Sequence, residues 1–300
     1  MGVIVEVQNL SKSFGEIQAV NDLSFTVNEG DVYGFLGQNG AGKSTSMRMM
    51  LTLIAPSSGS IKIFGKGLQH NRNEILRQVG AIIEKPDLYK YLTAYDNLEL
   101  FARLSGIKPG KKQLMEQLEK VGIAHRANSK IKTFSQGMKQ RLGIAIALVH
   151  NPRLVILDEP TNGLDPQGIA EMRNIIISLS KEHGKTVIVS SHLLNEIEQV
   201  ASRILIIDKG RKVIEGSAAE MFDPAKTLVS LQTSGGDTLV KLEGTAFAGC
   251  YQKSIGDEMI FEMHRKDIPA FNAMLVNKGV PVLSISPRHS LEDYFLRLTA

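Results

Sequence analysis

Three hundred residues, 43% hydrophobic and 22% charged, make an ordinary globular chain with room for one large domain and one small one. A net charge of +4, with no more than two basic residues in succession, permits a nucleic-acid partner without arguing for one, and none is expected. The lone Cys250 excludes an internal disulfide, the opening MGVIVEVQNL lacks the features of a secretory signal, and the longest apolar runs fall short of the ~18 residues that span a bilayer, so a cytoplasmic chain is expected.

In chain order, VIVEVQNL and LSFTV alternate or run apolar like strands, and DVYGFLG ends in glycine just ahead of a helical pattern. Strands and helices then take turns. GSIKIFG precedes a helical stretch near Asn71–Val79, GAII precedes helices through Glu99–Gly122, and another helix covers Gln136–His150. RLVILD, a helix over Gln167–Glu182, KTVIVSS, a helix over Leu193–Ala201 and RILIIDKGRKVIEG follow. Pure Val/Ile/Leu runs separated by helices predict a parallel sheet covered on both faces, with the early alternating strands as an antiparallel edge or second sheet. A boundary is expected at FDPAK, Phe222–Lys226. Beyond it come TLVSLQT, TLVKLEG, YQKSIGDEMIFEMH with its Gly-Asp turn, a helix, a strand and a final helix SLEDYFLRLT, read together as a small α+β appendage. The apolar stripe of that last helix suits contacts with another chain, or the appendage's own core.

GQNGAGKST, Gly37–Thr45, fits G-x-x-x-x-G-K-[ST] where a strand hands over to a helix. Backbone N–H groups of Gly37, Gln38, Asn39, Gly40, Ala41 and Gly42, with the helix N-terminus, make a concave positive site for phosphates. Lys43 reaches the β- and γ-phosphates, Ser44 offers its hydroxyl to Mg²⁺, and Thr45 completes the motif. Downstream, RLVILDEP sets Asp158 and Glu159 at the end of a buried strand. In a P-loop protein Asp158 there can hold Mg²⁺, while Glu159, turned the other way, can orient and deprotonate an attacking water. The bland alternative is a pair of solvated acids in a turn. In FSQGMKQR, Ser135 is a good helix N-cap and Gly137 leaves backbone bare in the first turn, a second anion-binding helix end.

These residues resemble the ATP-binding cassette (ABC) ATPases, the motor subunits of ABC transporters, over about residues 3–222. FSQGMKQR is similar to the signature, LDEP to Walker B with its adjacent glutamate, NGLDP to the D-loop, and SSH, ending at His192, to the switch histidine. The resemblance implies an α/β P-loop NTPase with a parallel core sheet, an antiparallel β subdomain and a helical subdomain at about 85–150, giving domains 1–222 and 223–300. It implies ATP and Mg²⁺ as cofactors, and head-to-tail homodimers in which Ser135 and Gly137 of one copy close over the γ-phosphate held by the other. Asp165 then lies at the seam, although Asp-Pro is also a common helix start. His192 contacts the γ-phosphate, and Phe14 stacks on adenine or packs in the core.

Two departures stand out. The usual L-S-G-G-Q has become Phe134-Ser135-Gln136-Gly137-Met138, and Glu84 occupies the place of the Q-loop glutamine, where it is a candidate metal ligand. With the SLEDYFLRLT ending, this variant is most similar to bacterial exporters of bacitracin or lantibiotic-like peptides and to gliding-type transporters. That implies an integral-membrane permease as partner and a peripheral place on the cytoplasmic face of the membrane. Tyr89, Tyr91 and Tyr95 either receive that permease or pack the helical subdomain. A ribosome- or nucleic-acid-directed ABC ATPase and a nucleotide-gated regulator remain as alternatives.

Overall fold

The structure, a computed structural model, describes residues 2–221, 225, 227–234 and 237–288. The helix expected from SLEDYFLRLT and most of FDPAK lie outside the described residues. The chain divides into two compact units, Met1–Gly216 and Ser217–Ala300.

Two sheets form the first unit. β1 (Val3–Phe14) and β2 (Ile17–Asn28) pair antiparallel, while β4 (Ser58–Ile63) adds to the other side of β1 and the short β5 (Lys66–Gly67) to β4. Facing pairs Val5–Val27, Val7–Phe25 and Leu10–Leu23 are all buried, which is why these strands alternate in sequence. The second sheet comprises β3 (Val32–Leu36), β6 (Val79–Ile82), β7 (Leu154–Leu157), β8 (Thr186–Ser191), β9 (Arg203–Asp208) and β10 (Arg211–Ser217), in the order β10-β9-β3-β8-β7-β6. From β9 to β6 every pairing is parallel. All four residues of β7 and all six of β8 are buried, as uninterrupted branched aliphatic runs require when both faces are covered, at about 1.5–3 kcal/mol for each large side chain.

α1 (Lys43–Met50) follows β3 and sends Met47, Met49 and Met50 into a core shared by both sheets, with Phe25, Phe35, Ile63 and Ile156. A short α2 (Arg72–Leu76) leads to β6. Three helices make the helical segment: α3 (Ala94–Leu104), α4 (Lys111–Lys120) and α5 (Gln136–Leu148). α3 starts at a capping box in which Thr93 Oγ1 accepts from Asp96 N at 3.0 Å and Asp96 Oδ2 accepts from Thr93 N at 3.2 Å. α6 (Pro166–Lys181) and α7 (Leu194–Glu198) complete the unit.

The second unit opens with α8 (Ala218–Met221). Its antiparallel sheet has the order β12-β13-β11-β14, from β11 (Thr227–Thr233), β12 (Tyr251–Ile255), β13 (Glu258–Met263) and β14 (Val282–Arg288). TLVKLEG, which the sequence left unassigned, forms the short helix α9 (Thr238–Leu242). α10 (Ile268–Asn277) buries Phe271 against Phe261 and Phe247, with ring centroids 4.9 and 5.1 Å apart, giving this unit its own core.

Candidate functional site

The loop between β3 and α1 is shaped by what its glycines cannot accommodate. A Cβ at Gly37 would stand 2.5 Å from the carbonyl oxygen of Ile207, and one at Gly42, where φ is 103°, would stand 2.5 Å from that of Ala19. Backbone alone fits there, so the N–H groups at the start of α1 have room to face a ligand. Lys43 is 5% exposed and donates to the carbonyls of Gly37 at 2.6 Å and Gln38 at 3.1 Å, lying back along its own loop.

β8 lies between β3 and β7 and brings the other groups together. Leu157 faces Val189 across the β7–β8 pair, so the strand ends carry Asp158–Glu159 and Ser190–His192 side by side. Asp158 is 1% exposed, and its Oδ1 accepts from Ser190 Oγ at 2.6 Å. The same Ser190 oxygen accepts from Glu159 N at 2.9 Å. Glu159 adopts φ 49°, a left-handed conformation that costs a non-glycine residue about 1–3 kcal/mol and swings its side chain away from that of Asp158. Its Oε2 contacts His192 Nδ1 at 2.7 Å. Oε1 stands 3.1 Å from Lys43 Nζ without hydrogen-bond alignment, so this buried oxygen keeps an unused acceptor position. A carboxylate held between an ammonium and an imidazole, with one oxygen unspent, is suited to orienting a water and taking its proton.

Ser44, Glu84, Asp158, Glu159, Gln136 and Gln140 line one open cleft of about 720 Å³. The hydroxyl of Ser44 and the carboxylate of Asp158 are hard oxygen donors, a set that fits Mg²⁺. Glu84, at φ 62°, lines this cleft too, but its carboxylate is ion-paired with Arg48 on α1, a partner that sequence reading did not supply. Ser135 caps α5, its Oγ accepting from Met138 N at 3.3 Å. A Cβ at Gly137 would meet Leu164 at 3.8 Å, so no steric clash among the described residues demands a glycine there. Asp165 caps α6 by accepting from Gly168 N at 3.0 Å, which accounts for it within one chain. Phe14 is half exposed and beneath Lys12, so it is not a core residue. Tyr89 and Tyr91 are likewise exposed, and Tyr95 half-buried.

Other residues support the site in ways that no motif announces. Ser190 binds both acids. Glu196 on α7 accepts from Thr161 Oγ1 at 2.7 Å and Ser191 Oγ at 2.6 Å, tying the chain beyond Glu159 to the strand end before His192. Gly210 donates to the Ala41 carbonyl at 3.0 Å, so the β9–β10 turn braces the phosphate loop. Ser190 opens the SSH motif, its only sequence signal, and Glu196 lies four residues beyond His192 with none of its own.

A family model described as ABC transporter matches residues 20–162. The chain is 42% identical to the bacitracin transport ATP-binding protein BcrA of Bacillus licheniformis, across 99% of this chain and 98% of that protein. It is 45% identical to the lantibiotic transport ATP-binding protein SrtF of Streptococcus pyogenes, across 71% of this chain and 90% of that protein. Among solved structures, the ATP-binding cassette MJ0796, a dimer in a post-hydrolysis state bound to ADP and Pi, superposes with a TM-score of 0.65 and 28% identity, over 72% of this chain and 99% of that one.

Proposed function

The chain belongs to the ATP-binding subunits of ABC transporters, ATP-hydrolysing proteins, and from that premise we propose that two copies close head-to-tail on Mg-ATP to drive a separate membrane permease that exports an antibiotic-type peptide. The observation that carries this reading is the placement of Glu159 between Lys43 and His192, in the cleft lined by Ser44 and Asp158.

The backbone from Gly37 to Thr45 cradles the phosphates, and Lys43 exchanges its loop carbonyls for phosphate oxygens. Ser44 and Asp158 would hold Mg²⁺, which when bound would supply charge neutralisation at the phosphates. Glu159 accepts a proton from the water whose oxygen attacks the γ-phosphorus, while the bond to the bridging oxygen of ADP breaks. His192 steadies that carboxylate through Oε2 and leaves Oε1 for the water. Ser135 and Gly137, open at the start of α5, complete the partner's site, and Asp165 lies at the seam between copies. Phe14, half exposed, offers its ring to adenine.

Among the described residues no helix is long and apolar enough to cross a membrane; in this reading the permease is a separate chain and this one sits on its cytoplasmic side. Full-length similarity to a bacitracin transport protein supports export of a peptide antibiotic. Glu159→Gln tests the reading, because it keeps the shape and removes the base. Turnover should fall about 10²–10⁴-fold while ATP still binds and an ATP-dependent dimer accumulates on a sizing column. Turnover near the original level would remove Glu159 from the mechanism.

A further inference from the structure

A second concavity, of about 590 Å³, lies in the first unit among α4, the C-terminal ends of α5 and α6 and the start of β8. No step of hydrolysis uses it. Lys108, Lys120, Lys185, His150 and His183 line it, against a single carboxylate, Glu116, which faces Lys112 at 3.9 Å. None of the three lysines has an ion-pair partner among the described residues. Lys185 Nζ donates to the side-chain oxygen of Asn151 at 2.6 Å, a neutral acceptor that leaves its charge uncompensated. Burial, and then the charge of Lys120, push the Lys185 ammonium below its usual range. His150 has Nε2 3.2 Å from the Val79 carbonyl and a buried Nδ1 with no hydrogen-bond partner among the described residues. Burial and the nearby Lys185 hold its imidazole below the usual range, against that carbonyl contact.

Helix C-termini attract cations by about 0.3–1 kcal/mol each, which accounts for a lysine or histidine at the ends of α4, α5 and α6. It does not account for cations placed so that they repel one another, with Lys185 turned to an amide rather than to a helix carbonyl. Like charges on concave walls focus a positive potential, and the species that relieves it is a compact anion carrying more than one charge. Lysine ammoniums bind phosphate as point charges and need no fixed bidentate geometry to do so.

We propose that this cleft is a binding site for a small multivalent phosphate-bearing anion, which ties α4 of the helical segment to the ends of α5 and α6 and the start of β8. The phosphate loop also takes phosphates, so the test uses full-length protein saturated with ADP and titrates inorganic pyrophosphate by calorimetry. The ring resonances of His150 and His183 are followed by NMR. Expected are one further saturable event, movement of both histidine signals, and at least tenfold weaker pyrophosphate binding in Lys120→Gln/Lys185→Gln with ADP affinity unchanged. No saturable event under ADP would overturn the proposal, as would signals that stay still on the unaltered protein, a measurement independent of how the variant folds. Citrate binding as tightly as pyrophosphate would overturn the phosphate assignment. A double variant that loses thermal stability yet binds pyrophosphate as before would reduce the lysines to helix-end compensation.

Discussion

The molecule presents two helix N-termini suited to anions, at α1 and at α5, and they are built on opposite terms. At α1 the glycines are dictated from inside: a side chain at Gly37 or Gly42 would run into a backbone carbonyl at 2.5 Å, and Lys43 is buried among its own loop oxygens. At α5 Ser135 is exposed and Gly137 has only Leu164 near it, at 3.8 Å. One end is finished by its own fold. The other keeps a glycine that the fold does not need, which makes sense if something outside the chain approaches that backbone.

Alanine at each glycine separates the two cases and carries the largest contrast. Gly42→Ala forces a side chain into φ 103° and against the Ala19 carbonyl, with backbone strain of about 1–3 kcal/mol before the clash is counted. It should lower the melting temperature and abolish nucleotide binding, read by titration of a fluorescent ATP analogue. Gly137→Ala enters a helix with space to spare, so stability should hold or rise by up to about 1 kcal/mol. ATP should bind the single subunit normally, yet turnover should fall at least tenfold, about 1.4 kcal/mol of barrier, because the partner's phosphate is met by a methyl group. Full turnover in Gly137→Ala would remove the outside partner from the argument. Ser135 is the poorer probe, because its oxygen also caps the helix at a cost of about 0.5–2 kcal/mol on removal.

The same contrast explains what a reader of the sequence can and cannot see. The phosphate loop is legible because its requirement is local: glycines at fixed spacing, then Lys43 and Ser44, all within one turn of chain. Strands were legible where composition reports burial, as in LVIL and TVIVSS, and where alternation reports a half-covered sheet, as in VIVEVQ. TLVKLEG carries no such decisive pattern, and it folds as helix. What sequence could not supply is lateral order. Ser190 bridges Asp158 and Glu159 only because β8 is the strand inserted between β3 and β7, and Gly210 braces Ala41 only because β9 is the other neighbour of β3. Residues that act across strands have no fixed spacing.

Glu196 sharpens this point with a smaller expected effect. Its Oε2 gathers two hydroxyl donors, Thr161 at 2.7 Å and Ser191 at 2.6 Å, each a hydrogen bond to a charged group worth about 1.5–3 kcal/mol. The bonds hold the two chain segments that flank the Glu159–His192 contact, so we propose that Glu196 acts as a positioning residue. Thr161→Val and Glu196→Gln should each cut kcat about tenfold with KM for ATP unchanged, and together should cost less than the sum. Equal losses in kcat and in ATP affinity would mean that the fold, rather than the placement of the base, had been damaged.

The smallest effect is expected at Glu84, and its sign is the informative part. A carboxylate at this position is a stronger ligand for a hard cation than an amide, but it adds negative charge to a cleft that already holds Asp158 and Glu159. The pairing with Arg48 changes that balance, because the guanidinium supplies the counter-charge and competes with a metal ion for the same oxygens. Both side chains are well exposed, at 38% and 66%, so the pair is worth at most about 1 kcal/mol, or roughly a fivefold change in an equilibrium. Glu84→Gln should therefore leave ATP binding within about twofold and raise the Mg²⁺ concentration needed for half-maximal hydrolysis, since a ligand is lost and an unpaired cation left behind. Arg48→Ala should move the Mg²⁺ midpoint the other way, since it frees the carboxylate and removes a positive neighbour. Midpoints that shift in the same direction, or do not shift, would leave Glu84 as a surface partner of Arg48 with no part in metal binding.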